Sequence, residues 1–305
     1  MTIPSITVIG STNTDMVVKT SKLPMPGETI LGGDFFMNPG GKGANQAVAA
    51  SRLNGKVTLV AKTGEDVFGR QSKSLFQFEN LNTDFLFSDA GSPSGIALIT
   101  VDDHAENCIV VAPGANARLT PDDIDLAIAA ILNAEIVLMQ LEIPLETVIH
   151  AAGIAAEAGK KVILNPAPAQ KLPARLLEML FMITPNETEA ELLTGIRVSD
   201  RESAEKAARA LLACGVEVVV VTLGSQGALL LTQDCCELIP AFQVVAVDTT
   251  AAGDCFNGAL AVALSEGASL ENAVSFANKA ASISVTRLGA QASMPFRSDV
   301  DRMND

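Results

Sequence analysis

Short, continuously apolar runs alternate with longer helical patterns along most of this chain. The strand-like runs cover residues 6–10, 57–61, 136–140, 162–165, 181–184, 218–222 and 228–231. The clearest helical patterns cover residues 44–53, 121–132, 145–158, 187–194, 202–214, 253–265 and 270–286. Strands that are apolar on both faces need cover on both faces. The alternation therefore predicts an α/β fold, a three-layer sandwich in which helices flank a central, mostly parallel sheet.

Two stretches interrupt this alternation with pairs of short strands. The first pair covers residues 16–20 and 29–36 around a turn at 23–27, and the second covers residues 95–101 and 106–111 around a turn at 102–105. Four such strands would assemble one small sheet beside the main one. We therefore predict a single α/β domain over residues 1–305, with a small β-sheet inserted at about 14–38 and 95–111. Such a sheet suits a lid over a site or a dimer surface.

Composition indicates a large core and argues against several classes of partner. Hydrophobic residues make up 48% of the sequence and charged residues 18%, which is typical of a folded domain. The net charge of −14 would repel nucleic acid and anionic membrane at long range. No apolar run reaches the length of a membrane span. We therefore expect neither a nucleic acid nor a membrane partner.

The cysteines and the N-terminus predict a cytoplasmic protein. The five cysteines are an odd number and include no C-x-x-C pair, so free thiols in a reducing compartment are the simplest interpretation. The first ten residues lack the basic segment of a signal peptide. Neither of the two histidines has an H-E-x-x-H context, so no zinc site is predicted.

Small residues and two carboxylates meet in the segment Asp248-Thr249-Thr250-Ala251-Ala252-Gly253-Asp254, between a strand-like run at 244–247 and a helical run. Glycine and alanines let an anion approach the backbone closely, and a helix N-terminus favours a phosphate. Asp254 would stand beside that phosphate and take the proton of the hydroxyl that attacks it. The alternative is that Asp248 or Asp254 only caps the helix.

A glycine-rich segment, Pro39-Gly40-Gly41-Lys42-Gly43-Ala44-Asn45-Gln46, opens another helix. It is not a Walker A motif, because that motif needs Ser or Thr where Gly43 follows the lysine. The first strand also lacks the G-x-G-x-x-G that binds dinucleotides. The glycines would admit a small ligand close to the backbone, and Asn45 offers it both a donor and an acceptor. An ordinary glycine-rich turn is the alternative.

Two further segments favour a nucleotide site. Residues 222–227, Thr-Leu-Gly-Ser-Gln-Gly, follow a strand and would form either a backbone cradle for phosphate or a plain turn. Asn186 and Glu189 flank the start of a helix, where they would form a capping box. Their oxygens would alternatively meet the water shell of a magnesium ion.

Three ordered motifs together resemble the ribokinase family of sugar kinases. They are Gly40-Gly41-Lys42-Gly43-Ala44-Asn45, Asn186-x-x-Glu189, and Asp248-Thr249-Thr250-Ala251-Ala252-Gly253-Asp254-x-Phe256-Asn257-Gly258. The similarity runs over essentially the whole chain. It implies phosphorylation of D-ribose at O5 by ATP, giving ribose 5-phosphate and ADP. It also implies a ribokinase-like fold whose β lid closes over the sugar and pairs two subunits in a homodimer.

The resemblance also implies a role for individual residues. The ribose site would use Asn13, Asp15, Gly41, Lys42, Asn45, Glu142 and Asp254. Asp254 would be the general base, and the backbone of Ala251, Ala252, Gly253 and Asp254 would form the anion hole. The ATP and Mg²⁺ site would use Asn186, Glu189, Thr222, Gly224, Ser225, Gly227, Gly253 and Asn278. The monovalent-cation site, usually K⁺, would use Asp248, Thr250, Ser284, Arg287, Gly289 and Ser293, mostly through backbone carbonyls.

One departure and three rivals stay open at this point. Cys255 follows the proposed base where relatives often carry Thr, and a thiol at a helix N-terminus would be either reactive or an inert core residue. Within the class, the substrate could be deoxyribose, another pentose or a nucleoside. A non-catalytic sugar-binding protein is a rival from another class, although the intact Asp254 argues against it. A nicotinamide oxidoreductase is disfavoured because the glycine fingerprint is missing.

Overall fold

The computed structural model describes residues 5–104 and 106–303. Ala105, the last residue of the predicted turn at 102–105, lies outside the described residues, as do both ends of the predicted 1–305 domain. The strands are β1 Ser5–Ile9, β2 Asn13–Lys19, β3 Phe35–Gly40, β4 Lys56–Gly64, β5 Leu86–Asp89, β6 Gly95–Val101, β7 Asn107–Ala112, β8 Ile136–Met139, β9 Lys161–Leu164, β10 Met182–Ile183, β11 Val218–Thr222, β12 Ala228–Leu231 and β13 Cys236–Ile239. The helices are α1 Lys42–Arg52, α2 Val67–Phe78, α3 Pro121–Leu126, α4 Ile128–Asn133, α5 Leu145–Glu157, α6 Ala174–Leu177, α7 Glu187–Thr194, α8 Arg201–Leu212, α9 Ala252–Ser265, α10 Leu270–Ser284 and α11 Arg297–Arg302.

The main sheet has nine strands in the order β13-β12-β11-β10-β9-β8-β1-β4-β5. The pairs from β11 across to β5 are parallel, whereas β12 and β13 run antiparallel at one edge. Adjacent strand residues such as Leu138 and Met139 are both fully buried and belong to different core clusters. Because successive side chains point to opposite faces, helices must cover both. The predicted α/β sandwich is therefore confirmed.

The chain reverses its direction of travel across the sheet between β1 and β8. From β1 it goes outward to β4 and β5, and it then returns to β8 on the other side of β1. The carboxyl ends of neighbouring strands diverge at such a switch point, which is where open α/β sheets bind ligands. Ser11 and Glu142 meet there, since the Ser11 hydroxyl donates a hydrogen bond to Glu142 Oε2.

A separate four-stranded sheet has the order β3-β2-β6-β7. Alternation along these strands gives the sheet two different faces. Asp15, Ala97, Ile99, Ile109 and Val111 lie on the face that lines a cavity of the main body. The opposite face carries Phe35, Met37, Leu98 and Val110, which are 49–60% exposed. The face toward the cavity thus carries both polar and apolar side chains, whereas the side chains named on the opposite face are all apolar.

Several predicted elements need correction. The predicted strand at 29–36 is irregular over its first six residues, and the pairing with β2 is made by Phe35–Gly40 instead. Val244–Val247 forms no strand, because Val244 and Ala246 face a cavity rather than a neighbouring strand, and Val245 is 85% exposed. The helical pattern at 121–132 is two helices, α3 and α4. The sequence patterns missed α2, α6, α11, β5 and β13.

Candidate active site

Asp254 lies in the first turn of α9 and is the buried carboxylate around which the site is built. It is 5% exposed. Asn45 Nδ2 donates to Asp254 Oδ2 at 2.9 Å, and Gln46 Nε2 donates to Asp254 Oδ1 at 2.9 Å. Both carboxylate oxygens are therefore held by amide groups of α1. Two hydrogen bonds from one helix fix the plane of a carboxylate on another.

The close approach of α1 and α9 depends on a glycine. A Cβ on Gly258 would lie 2.7 Å from Ala49 Cβ and 2.7 Å from the carbonyl oxygen of Gln46, both distances that real Cβ atoms do not show. The absence of a side chain at Gly258 lets the two helix backbones approach closely. That approach brings Asn45 and Gln46 within hydrogen-bonding distance of Asp254.

A cavity of about 320 Å³ lies between the main sheet and the small sheet. All of the residues predicted to bind sugar line it: Asn13, Asp15, Gly41, Lys42, Asn45, Glu142 and Asp254. Asn45 Oδ1 is buried and has no hydrogen-bond partner among the described residues. A buried amide oxygen that accepts nothing is costly unless a ligand supplies the donor. The cavity therefore suits a small polyol, and we call it the sugar cavity.

Ionisable side chains are concentrated around this cavity. Burial, with the negative charges of Glu142 and Asp254, raises the pKa of Asp15 to about 6. Burial also raises the pKa of Asp254, against the opposing effects of Lys42 and the two amide hydrogen bonds. Burial alone would lower the pKa of Lys42, but the surrounding carboxylates Asp254, Glu142 and Glu189 raise it. Lys42 is thus held as a cation among acids.

Glu142 has a structural contact as well as a place in the cavity. Its Oε2 accepts a hydrogen bond from the backbone N–H of Lys42 at 3.0 Å. The N-cap of α1 is Gly41, which makes no side-chain cap hydrogen bond. Glu142 therefore caps α1 from across the switch point. Gly41 itself has φ 89°, and a Cβ there would lie 2.7 Å from the backbone of Thr12 and Asn13.

The N-terminus of α9 forms the wall between the sugar cavity and a second one. Ala251 is the N-cap, with a left-handed φ of 58°. The Ala252 N–H donates a hydrogen bond to the carbonyl of Thr249 at 3.2 Å. The N–H groups of Gly253 and Asp254 stand in the first turn, where a helix offers no preceding carbonyl to accept them. Within the predicted anion hole at 251–254, the Ala252 N–H is thus engaged by a loop carbonyl, whereas the N–H groups of Gly253 and Asp254 lie at the open start of the helix.

The second cavity, of about 360 Å³, lies on the other side of that turn. Seven predicted nucleotide-site residues line it: Asn186, Thr222, Gly224, Ser225, Gly227, Gly253 and Asn278. Glu189 lines the sugar cavity instead. Asn186, Thr222, Thr249, Ala252 and Gly253 line both cavities. A group bound in one cavity would therefore face a group bound in the other across the start of α9.

The walls of the second cavity explain two features of the sequence. Phe242, Val244, Ala246, Phe256 and Val285 give it an apolar side, so the valine run mistaken for a strand serves as part of a pocket wall. Asn278 Nδ2 donates to the carbonyls of Ile239 and Pro240 at 3.0 and 3.2 Å, which fixes the start of that wall segment.

Asn186 and Glu189 form the capping box that the sequence allowed. Glu189 N donates to Asn186 Oδ1 at 2.8 Å, and Asn186 N donates to Glu189 Oε2 at 2.9 Å. Burial raises the pKa of Glu189, with the hydrogen bond from Asn186 and the charge of Lys42 acting against it. One Glu189 oxygen is used by the cap, which leaves the other for a ligand of the sugar cavity.

The residues predicted to hold a monovalent cation lie on two loops that meet. Asp248 accepts hydrogen bonds from the backbone N–H groups of Thr250 at 2.9 Å and Gly289 at 2.8 Å. Burial alone would raise the pKa of Asp248, but the Thr250 hydroxyl and these two backbone N–H groups lower it. Ser284 and Ser293 are buried and donate to Ala281 and Ala290 carbonyls. The Arg287 guanidinium pairs with Asp299 at 3.0 Å. A guanidinium has no acceptor atom, so Arg287 could ligate a cation only through its carbonyl. Carboxylate, hydroxyl and carbonyl oxygens suit a hard cation.

Cys255 is a buried core residue. It is fully buried, and burial raises the pKa of its thiol to about 12. A reactive cysteine needs a low pKa and access to solvent. Burial and the raised pKa therefore favour the interpretation of Cys255 as an unreactive core residue over the redox-sensitive one.

Sequence patterns missed a layer of polar residues beneath Asp254. It consists of Gln46, Gln140, Asn165, Thr184 and Asn257, all buried or nearly so. Gln140, Asn165 and Thr184 each follow directly after a strand of the main sheet. Polar residues at the carboxyl ends of buried parallel strands are the signal that could have found them. Thr184 Oγ1 donates to Asn257 Oδ1, and Asn257 Nδ2 donates to the Gly253 carbonyl, which ties this layer to the start of α9.

Comparison with known proteins gives one consistent result. Residues 4–297 match the model of the pfkB family carbohydrate kinases. A ribokinase of Haemophilus influenzae is 45% identical over 295 residues, covering 97% of this chain and 96% of the relative. A deoxyribokinase of Salmonella typhi is 40% identical over 295 residues, covering 95% of each. Among solved structures, Arabidopsis thaliana ribokinase complexed with ribose and ATP is 34% identical with a TM-score of 0.92, covering 99% of this chain and 98% of that one.

Proposed function

Because the chain belongs to the pfkB family of carbohydrate kinases, we propose that it transfers the γ-phosphoryl group of ATP to O5 of D-ribose. It is a sugar kinase, and the ribokinases at 40–45% identity support ribose as the acceptor. The single observation that carries the proposal is the position of Asp254. Its carboxylate stands at a helix N-terminus that separates a polyol-sized polar cavity from a second, partly apolar one.

In the proposed reaction Asp254 accepts the proton of the ribose O5 hydroxyl. O5 bonds to the γ-phosphorus, the bond from that phosphorus to the β,γ-bridging oxygen breaks, and ADP leaves with the electron pair. The N–H groups of Gly253 and Asp254 hold the phosphoryl oxygens while charge moves to the leaving group. Transition states of this kind are loose, so positioning and charge stabilisation carry most of the catalysis.

We assign ribose to the cavity lined by Asn13, Asp15, Asn45 and Glu142. Ionised carboxylates accept hydrogen bonds from hydroxyl groups, and amides both donate and accept hydrogen bonds. The unpartnered Asn45 Oδ1 supports this assignment, because a sugar hydroxyl would supply its missing donor. A buried polar site of this kind rejects analogues that lack the matching hydroxyl.

We assign ATP to the second cavity, with the adenine on its apolar side and the phosphates over the turn at 222–227 and the start of α9. Asn186 and Glu189 would hold the hydrated Mg²⁺ that accompanies the nucleotide, since Mg²⁺ keeps several waters and prefers oxygen ligands. Such an ion neutralises charge on the phosphates. Asp248, Thr250, Ser284, Arg287, Gly289 and Ser293 would bind K⁺, and K⁺ would steady the loop that precedes Asp254.

The small sheet would serve as a lid and as the contact between two subunits. Its inner face lines the sugar cavity, which supports closure over the sugar. Its outer face exposes Phe35, Met37, Leu98 and Val110, an apolar surface that pairing in a homodimer would cover. A monomer in light scattering at micromolar concentration would contradict the dimer. The five free thiols support the cytoplasm as the compartment.

Deoxyribose is the second candidate acceptor, because a deoxyribokinase is 40% identical over nearly the whole chain. ADP release should therefore be measured with ribose, 2-deoxyribose, other pentoses, hexoses and nucleosides, each with and without K⁺. We expect the highest kcat/KM with ribose. A higher kcat/KM with deoxyribose would change the substrate, and no turnover with any acceptor would favour the non-catalytic reading.

A further inference from the structure

Gln46 is fully buried on α1 and does not line the sugar cavity, unlike its neighbour Asn45. Its Nε2 donates to Asp254 Oδ1 at 2.9 Å and to Asn165 Oδ1 at 3.0 Å. We propose that Gln46 is a positioning residue that keeps the Asp254 carboxylate ionised and correctly oriented for the sugar hydroxyl. This inference rests on the proposed function, in which Asp254 is the base.

Gln140 determines which end of the Gln46 amide faces the carboxylate. Gln140 Nε2 donates to Gln46 Oε1 at 2.6 Å. With its oxygen occupied from that side, Gln46 can present only its NH₂ group to Asp254 and Asn165. A reversed amide would set an oxygen against the carboxylate and lose the bond from Gln140. The donor direction therefore runs from Gln140 through Gln46 to Asp254.

Gly10 makes the space for this arrangement. A Cβ on Gly10 would lie 2.1 Å from Gln140 Oε1, so any other residue at the end of β1 would displace the Gln140 side chain. Asn165 is fixed in turn, since its Nδ2 donates to the Thr184 carbonyl at 3.4 Å. Gln140 after β8 and Asn165 after β9 thus hold the Gln46 amide that donates to Asp254.

Most of the charged groups that face Asp254 disfavour its ionised form, which the hydrogen bond from Gln46 stabilises. Lys42 from α1 favours the ionised form, whereas Asp15 from β2, Glu142 after β8 and Glu189 from α7 disfavour it. Burial disfavours it further. The hydrogen bonds from Asn45 and Gln46 both lower the pKa of Asp254. Asn45 is also assigned to the sugar, so Gln46 is the donor dedicated to the base.

The test compares the titration of the Asp254 carboxyl carbon by ¹³C NMR in the wild type, Gln46→Met, Gln46→Glu and Gln140→Met. The Asp254 resonance is identified by its loss in Asp254→Asn. Gln46→Met keeps the volume and removes the donor, so we expect the midpoint to rise by about one to two pH units. Gln46→Glu adds a like charge and should raise it further. Gln140→Met should raise it by less, because Gln46 keeps both acceptors.

Gln291→Met is the matched control, because Gln291 is buried and its amide has no hydrogen-bond partner among the described residues. It should leave the Asp254 midpoint unchanged. The acid limb of the pH profile of kcat should move with the titration in the Gln46 variants. A residue needed only for packing would tolerate the isosteric Gln46→Glu best, whereas a positioning residue tolerates it worst.

An Asp254 midpoint that is the same in the wild type and the folded Gln46 variants would overturn the proposal. If Gln46→Met does not fold, Gln46→Glu and Gln140→Met decide the question by the same titration. Failure of the proposed function is distinguishable: a wild type that phosphorylates no sugar or nucleoside would refute the kinase assignment, while the titration would still test the hydrogen bond.

Discussion

Asn45 and Asp254 are 209 positions apart in the chain and are joined by a hydrogen bond of 2.9 Å from Asn45 Nδ2 to Asp254 Oδ2. The bond connects the first turn of α1 to the first turn of α9. Asn45 Oδ1 remains without a partner in the described residues. The Asn45 amide therefore joins the proposed base to the proposed sugar site.

Replacing Asp254 with Asn should abolish most turnover without abolishing ribose binding. A general base contributes about 10² to 10⁴ in rate, or roughly 3 to 5 kcal/mol. We expect kcat to fall by about that factor, measured as ADP release, while calorimetry still detects ribose binding. Asp125→Asn, on the exposed surface, is the control. Near-normal kcat in Asp254→Asn would remove Asp254 from the mechanism.

Ribose affinity should depend on the ionisation of Asp15. Its pKa is raised to about 6, so the carboxylate is ionised above that pH and becomes protonated as the pH falls through it. At pH 5 only about one tenth of the Asp15 carboxyl groups would stay ionised. The Kd for ribose should therefore be roughly tenfold higher at pH 5 than where Asp15 is fully ionised. Calorimetry between pH 5 and 8 measures this. Asp15→Asn should bind weakly with a flat profile, and an identical pH dependence in that variant would contradict the assignment.

Gly41→Ala should destabilise the fold and weaken ribose binding. A Cβ at Gly41 meets the backbone of Thr12 and Asn13 at 2.7 Å, and its φ is 89°. Gly159 also has a positive φ, 68°, but a Cβ there meets nothing within 4 Å. Gly159→Ala therefore measures backbone strain alone, about 1 kcal/mol. Urea unfolding should show a larger loss for Gly41→Ala; equal losses would mean that the clash relaxes freely.

Two substitutions of Glu189 should distinguish its role in capping α7 from its proposed role in holding Mg²⁺. Glu189→Gln keeps an oxygen that can accept from Asn186 N, so thermal stability should hold while half-maximal activity needs more Mg²⁺. Glu189→Ala also loses the cap, at a cost of about 1 kcal/mol. The measurement is the Mg²⁺ dependence of ADP release beside the thermal midpoint. Unchanged Mg²⁺ dependence in both variants would leave Glu189 as a cap only.

Cys255 should resist alkylation in the native protein. Its thiol is fully buried with a pKa raised to about 12, so very little thiolate is present at pH 8. Cys214 is exposed and should react with iodoacetamide under the same conditions. Mass spectrometry of the alkylated peptides compares the two. Modification of Cys255 at the rate of Cys214 would show that α9 opens readily.

The sequence predicted the main sheet well because its strands are apolar on both faces, a pattern that few other environments produce. The same pattern failed at Val244–Val247. Those valines are as apolar as a strand, but the sheet ends at β13 and the run lines a cavity instead, and no local feature of the valine run reveals that. The strand expected at 29–36 failed for a related reason, since its pairing with β2 depends on the register that brings Gly40 opposite Asn13.

The candidate site was predictable where it is written in contiguous motifs. The segments around Asn45, Asn186 and Asp254 each show their chemistry within a few residues. Gln46, Gln140 and Asn165 were not identified. Gln140 and Asn165 each follow a strand, which marks the ligand-binding edge of the sheet, but the hydrogen bonds that join them to Gln46 span 94 and 119 positions and leave no local pattern. The engagement of the Ala252 N–H by the Thr249 carbonyl was equally hidden, since it depends on how the loop before α9 folds.

The acid-rich lining of the sugar cavity has a consequence for the release of product. Asp15, Glu142, Glu189 and Asp254 line it with Lys42 as the one basic side chain among the described lining residues. Ribose is uncharged and meets no net repulsion on entry. A phosphate ester adds roughly −1.5 to −2 of charge, which those carboxylates disfavour at short range. We therefore expect this cavity to bind the neutral sugar more tightly than its phosphorylated form, which would limit inhibition of the kinase by its own product.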